Sequence, residues 1–131
     1  MIIDANIFLE LFLKQSNSER CKVYLNKIIN GELNAIVSDF TVDTIIIVME
    51  RNKVELNVIN VFLQKLLNSK GLKIYSINMK DRIEALKYMK KYDLDYEDAL
   101  ILQSAISTKS ERILSFDKHF DKVKELNRIE P

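Results

Sequence analysis

Four short apolar runs, each followed by a stretch with helical spacing, constrain this chain more than any other feature. They are Met1–Ile3, Leu33–Val37, Leu72–Ile77 and Arg112–Phe116, and they close on the polar residues Asp4, Ser38, Asn78 and Asp117. Arg128–Ile129 adds a small candidate edge strand. Strands alternating with helices imply a parallel sheet covered on both faces, an α/β protein of three layers with four to five strands. Its crossovers should be right-handed. Ligands of such sheets collect beyond the carboxyl ends of the strands, where strand order reverses.

The intervening segments read as helices with definite ends. Helical spacing runs from Asp4 to about Lys14, and Ser16 with Glu19 has the form of a capping box for the next helix. That helix carries Cys21, Tyr24, Leu25, Ile28 and Ile29 on one face, which makes Cys21 a core residue, and Gly31 is its left-handed C-cap. Phe40–Arg51 contains the β-branched run Ile45–Val48, yet a cap at Ser38 or Asp39 and its place between strands make it a helix. A helix so apolar needs cover, from this chain or from a second copy in a homodimer. Glu55–Ser69 should turn Leu56, Ile59, Leu63, Leu66 and Leu67 inward and end at Gly71. Asn78 and Asp81 cap a helix with Ile83, Leu86 and Met89 inward and Lys80, Lys87, Lys90 and Lys91 outward.

A chain of 131 residues, 47% hydrophobic and 30% charged, is expected to form one domain, residues 1–131, with a substantial core. No stretch approaches the ~20 apolar residues of a membrane span. An acid near the N-terminus argues against an export signal, and a single cysteine suits a reducing cytoplasm. One Cys and one His are too few for a zinc site of soft ligands, so any metal should be held by oxygen. Two glycines build neither a P-loop nor a dinucleotide fingerprint. A net charge of +1 excludes a strongly basic nucleic-acid coat, though not a nuclease with a local basic rim.

Three acids fall where the topology could gather them. Asp4 ends the first strand, Asp117 ends the fourth, and Asp98 sits in the first turn of the helix that feeds the fourth. Each has a structural reading: Asp4 as an N-cap, Asp98 as the third-position partner of an Asp95 cap, and Asp117 as a turn-former. Together they have a chemical one. Carboxylates brought together repel unless a cation compensates them, and hard oxygen ligands select Mg²⁺ or Mn²⁺. Such clusters suit phosphodiester hydrolysis, in which the ions clamp attacking and leaving oxygens.

The elements Ile2–Asn6, Leu94–Ala99 and Leu114–Phe120 together resemble those of the PIN domain family, which includes the VapC-type toxins of toxin–antitoxin pairs. Their order and spacing span nearly the whole chain. The resemblance implies sheet order 3-2-1-4-5, dependence on Mg²⁺ or Mn²⁺, cleavage of single-stranded RNA and, for a toxin, a small antitoxin partner. It carries catalytic and metal-ligating roles onto Asp4, Asp98 and Asp117, with supporting polar roles for Asn6 and Ser115. The family's second acid, a Glu in the helix after strand two, falls at Thr44 when counted from Ser38. Asp43 is its neighbour, about 100° round the helix. Asp39, Glu50 and Asp95 are the other substitutes. The alternative function is therefore a PIN-like module that binds RNA or a protein without turnover.

Other residues carry less. Lys91 and Lys118 could meet phosphate, against the reading of solvated surface. Tyr92 and Tyr96 could stack bases, against packing at a rim. His119 reads as an exposed turn residue. A phosphoacceptor receiver domain would need an acid at the end of strand three, and a haloacid-type phosphohydrolase would need Asp where Asn6 stands.

Overall fold

The computed structural model spans residues 1–131. The elements in chain order are β1 (Ile2–Ile3), α1 (Ala5–Phe12), α2 (Ser18–Ile29), β2 (Ala35–Ser38), α3 (Asp39–Arg51), α4 (Leu56–Leu67), β3 (Leu72–Tyr75), α5 (Met79–Tyr92), α6 (Tyr96–Ser107) and β4 (Arg112–Leu114). A 3₁₀ turn at Lys118–Lys122 and β5 (Asn127–Ile129) complete it. The strands form one parallel sheet in the order β3-β2-β1-β4-β5.

The two residues of β1 show how the sheet sorts its faces, because successive strand side chains point to opposite sides. Ile3, paired with Leu114, belongs to a core cluster with Phe8, Cys21, Ile45 and Phe62, under α1 to α4. Ile2, paired with Ile36 and Ile113, belongs to the other cluster, with Ala85, Leu100 and Phe120, under α5 and α6. Cys21 is fully buried, and burial pushes its thiol up to about 11, as befits a core residue.

The α3 segment is a helix. The Ser38 side chain caps it by accepting the Thr41 amide at 3.0 Å. Ile45 and Met49 are wholly buried in the chain's own core, whereas Ile47 on the outer face of the helix is exposed. Gly31 holds the positive φ of a C-terminal cap, 84°.

Several expectations about helix ends and faces are corrected. Ser16 does not cap α2; the N-cap is Asn17, whose amide is taken by Glu10 Oε2 at 2.9 Å. In α4 the buried residues are Ile59, Phe62 and Leu66, while Leu56, Leu63 and Leu67 are exposed. Phe62 sets that rotation, its ring meeting Phe8 and Phe12 edge-on at 5.7 and 5.0 Å. Gly71 is not the cap of α4, which is Asn68; a Cβ on Gly71 would stand 2.1 Å from the Leu33 carbonyl oxygen.

In α5 the Asn78–Asp81 capping box is present, but Ile83 and Leu86 point to solvent. Asp81 itself is buried, accepting from Tyr75 Oη and Ser107 Oγ, both at 2.8 Å, and from Gln103 Nε2 at 3.3 Å. These bonds fix the helix rotation and turn Ala85 and Tyr92 inward instead. No helix is long and apolar enough to cross a membrane.

Candidate active site

Sheet order reverses between β1 and β4: the chain runs outward from β1 through β2 to β3, then returns to β4 on the other side of β1. The Asp4 amide extends the pairing by donating to the Leu114 carbonyl at 3.1 Å. Asp4 therefore stands beside Ser115 at the carboxyl ends of the two strands. It is 6% exposed. Its Oδ2 accepts from Asn6 Nδ2 at 2.7 Å and from the Ser115 hydroxyl. Ser115 Oγ in turn accepts the Asp117 amide at 2.9 Å, so one hydroxyl joins the first acid to the loop that carries another.

Asp98 reaches the same crevice from α6. The N-cap of α6 is Asp95, whose Oδ1 accepts the Asp98 amide at 2.8 Å. Asp95 thus has the structural role read for it from spacing, and the fixed first turn presents Asp98. Carboxylate oxygens of Asp98 and Asp117 and a ring nitrogen of His119 lie within 4.8 Å of one another. Asp117 also caps the 3₁₀ turn, its Oδ1 accepting the His119 amide at 2.8 Å and lying 3.0 Å from His119 Nδ1.

The electrostatics of this crevice are those of unneutralised acids. Burial above all, then Asp95, Asp117 and Asp4, pushes the Asp98 carboxyl up to about 7, with an opposing pull from His119. Asp4 is raised chiefly by burial and then by Asp117, against the hydrogen bonds from Ser115 and Asn6. Glu97, which the sequence did not single out, is raised by burial and by Asp4 and Asp95. Its only sequence signal is adjacency to Asp98 in the same helical turn.

The donor set fits a divalent cation. Asp98 and Asp117 supply hard oxygens close enough to share one ion. Asn6 Oδ1 is buried and has no hydrogen-bond partner, an unmet acceptor beside Asp4. His119 is the departure from an all-oxygen site, and an exposed turn in a sequence gives no sign that its ring will meet Asp98.

The remaining candidates are placed elsewhere or otherwise engaged. Asp43 is exposed on α3 and does not gather with Asp98 and Asp117, and Thr44 is half-buried on the same helix. Asp39 Oδ1 holds the end of β3 by accepting the Ile77 amide at 3.1 Å. Ser38 Oγ is within 2.8 Å of Thr41 Oγ1 and serves the cap of α3. Lys91 is paired with Glu125 at 2.9 Å and lies over the Tyr92 ring. Lys118 is exposed, one residue from Asp117. Tyr96 packs against Phe40 with ring centroids 6.1 Å apart.

The sheet order and the acids at its switch point define a doubly wound α/β/α domain with an acidic crevice between its two central strands. The chain belongs to the PIN domain family, whose model matches residues 1–126. Among solved structures it is similar to Mycobacterium tuberculosis VapC20, described as a sarcin-ricin loop cleaving toxin, with a TM-score of 0.79 and 12% identity, covering 99% of this chain and 98% of that one. A toxin–antitoxin complex from Klebsiella pneumoniae gives a TM-score of 0.71 at 18% identity, covering 96% and 94%. VapBC2 of Rickettsia felis, solved with a DNA fragment from its promoter, gives 0.67 at 15%, covering 98% and 96%. At these identities the likeness is one of fold. No curated protein sequence matches the chain.

Proposed function

We propose that the protein is a metal-dependent ribonuclease that hydrolyses phosphodiester bonds of single-stranded RNA, and that it is the toxin of a toxin–antitoxin pair. The observation that carries this reading is the meeting of Asp98 and Asp117 beside Asp4 at the switch point of a PIN domain. Asp98 and Asp117 hold Mg²⁺ or Mn²⁺. Asp4, kept in place by Asn6 and Ser115, adds negative charge behind it. When bound, the ion supplies an activated water and compensates charge on the scissile phosphate. Lys118 offers a cation to a neighbouring phosphate. Labelled single-stranded RNA should be cut in Mn²⁺, spared in chelator and spared by Asp4→Asn. Cleavage indifferent to all three conditions contradicts the proposal.

The antitoxin has a surface to fit. An apolar groove of about 350 Å³ lies between α1, α2 and α4, lined by Phe8, Phe12, Leu25, Val61 and Phe62 among others. Two of the similar structures were solved with antitoxin components, which favours a small antitoxin segment as its occupant. Co-expression with the product of an adjacent gene should yield a complex that Val61→Glu weakens while RNA cleavage by the free variant persists. Unchanged affinity places the antitoxin elsewhere.

A further inference from the structure

We propose that His119 is a nitrogen ligand of the ion held by Asp98 and Asp117, and that it tilts the centre towards Mn²⁺ and away from Mg²⁺. This rests on the metal-dependent reading above. It goes beyond it in naming a ligand that an oxygen-only site does not have and the selectivity that follows.

The geometry comes first. The imidazole is 69% exposed, so core packing does not dictate its position. Its backbone amide and its Nδ1 both address the same oxygen, Asp117 Oδ1, at 2.8 and 3.0 Å. Nδ1 is therefore the ring nitrogen that faces the carboxylates, and it can turn its lone pair to an ion between them in place of the contact with Asp117 Oδ1. No protein group donates to Asp117 Oδ2. Asp117 can thus position His119 through the backbone amide that Oδ1 accepts and still present its carboxylate to the ion. An exposed His–Asp pair adds little to stability, so the fold does not need this arrangement.

The chemistry then selects the metal. Mg²⁺ holds to oxygen donors and keeps much of its water. Mn²⁺ also takes carboxylate and water, but as a first-row transition ion it accepts a nitrogen donor more readily than Mg²⁺ does. A centre of two carboxylates and one imidazole gains from its nitrogen only with the second kind of ion.

Isothermal titration of the full chain with Mn²⁺ and with Mg²⁺ measures the preference, and pulsed EPR of bound Mn²⁺ reads its ligands. Wild type should bind Mn²⁺ about tenfold or more tighter than Mg²⁺ and show nitrogen coupling. His119→Gln should lose the coupling and about tenfold in Mn²⁺ affinity, with Mg²⁺ affinity nearly unchanged. Circular dichroism checks that the variant is folded, as its exposed position requires. Absence of nitrogen coupling in wild type, or coupling that survives in His119→Gln, overturns the proposal. Asp117→Asn separates the two levels: if it binds both ions as wild type does, the metal centre itself is wrong, whereas loss of binding there with an unaffected His119→Gln removes only the histidine.

Discussion

The Ser115 hydroxyl donates to the buried Asp4 carboxylate while accepting the Asp117 amide, which locks the carboxyl ends of β1 and β4 into one unit. Ser115 is itself wholly buried. Ser115→Ala leaves a buried carboxylate oxygen short of a donor, a loss of about 1–3 kcal/mol. Urea unfolding should show it, and RNA cleavage should fall with it because Asp4 and Asp117 lose their common anchor.

Asp98 makes the ion-free protein sensitive to pH. Its folded value, about 7, lies above the ordinary 3.8, so the fold favours the protonated carboxyl. That contribution is fully present below pH about 4 and is lost as pH rises towards 7. Asp4 and Glu97, both raised, act in the same direction. Thermal unfolding in chelator should therefore show stability falling across this window. Asp98→Asn should flatten the fall and raise the melting temperature at pH 8.

A divalent ion reverses the balance, because it binds the folded crevice and needs the carboxylates ionised. At a concentration of 100 times Kd, Mn²⁺ should stabilise wild type by about 2.7 kcal/mol. Asp98→Asn should gain little. The variant that is more stable without the ion is thus the less stable one with it, and a pair of melting curves checks the crossover.

The two glycines should differ sharply on substitution. Gly31→Ala meets a left-handed backbone and the Lys70 side chain at 3.0 Å, and should cost about 1–2 kcal/mol. Gly71→Ala drives a Cβ against two carbonyl oxygens, of Leu33 at 2.1 Å and Ile28 at 2.6 Å. Backbone must move, so its cost should be on the order of 3 kcal/mol or more. Chemical denaturation of the two variants ranks them.

The central strands were legible because a parallel strand buried on both faces is written as an unbroken apolar run, as at Met1–Ile3, whereas their order in the sheet was implied by the resemblance to the PIN domain family. The acids at the strand ends were legible for the same reason, since the run stops where they begin. Helix rotation was not. A stripe such as Ile83 and Leu86 satisfies helical spacing on either side of α5, and only the bonds from Tyr75, Gln103 and Ser107 to Asp81 decide which side is inward. In α4 the choice belongs to Phe62 and its partners on α1, far away in the chain. His119 is the exposed turn residue that the sequence suggests, but that its ring lies against Asp117 and near Asp98 depends on how the turn folds and on α6, neither of which is written locally.

A crystal of the full chain soaked in Mn²⁺, with anomalous diffraction recorded at the manganese edge, tests the metal centre most directly. The account predicts an anomalous peak at the carboxyl ends of β1 and β4, within bonding distance of Asp98 and Asp117. A crevice that stays without manganese at millimolar Mn²⁺, or a peak bound away from both carboxylates, contradicts it.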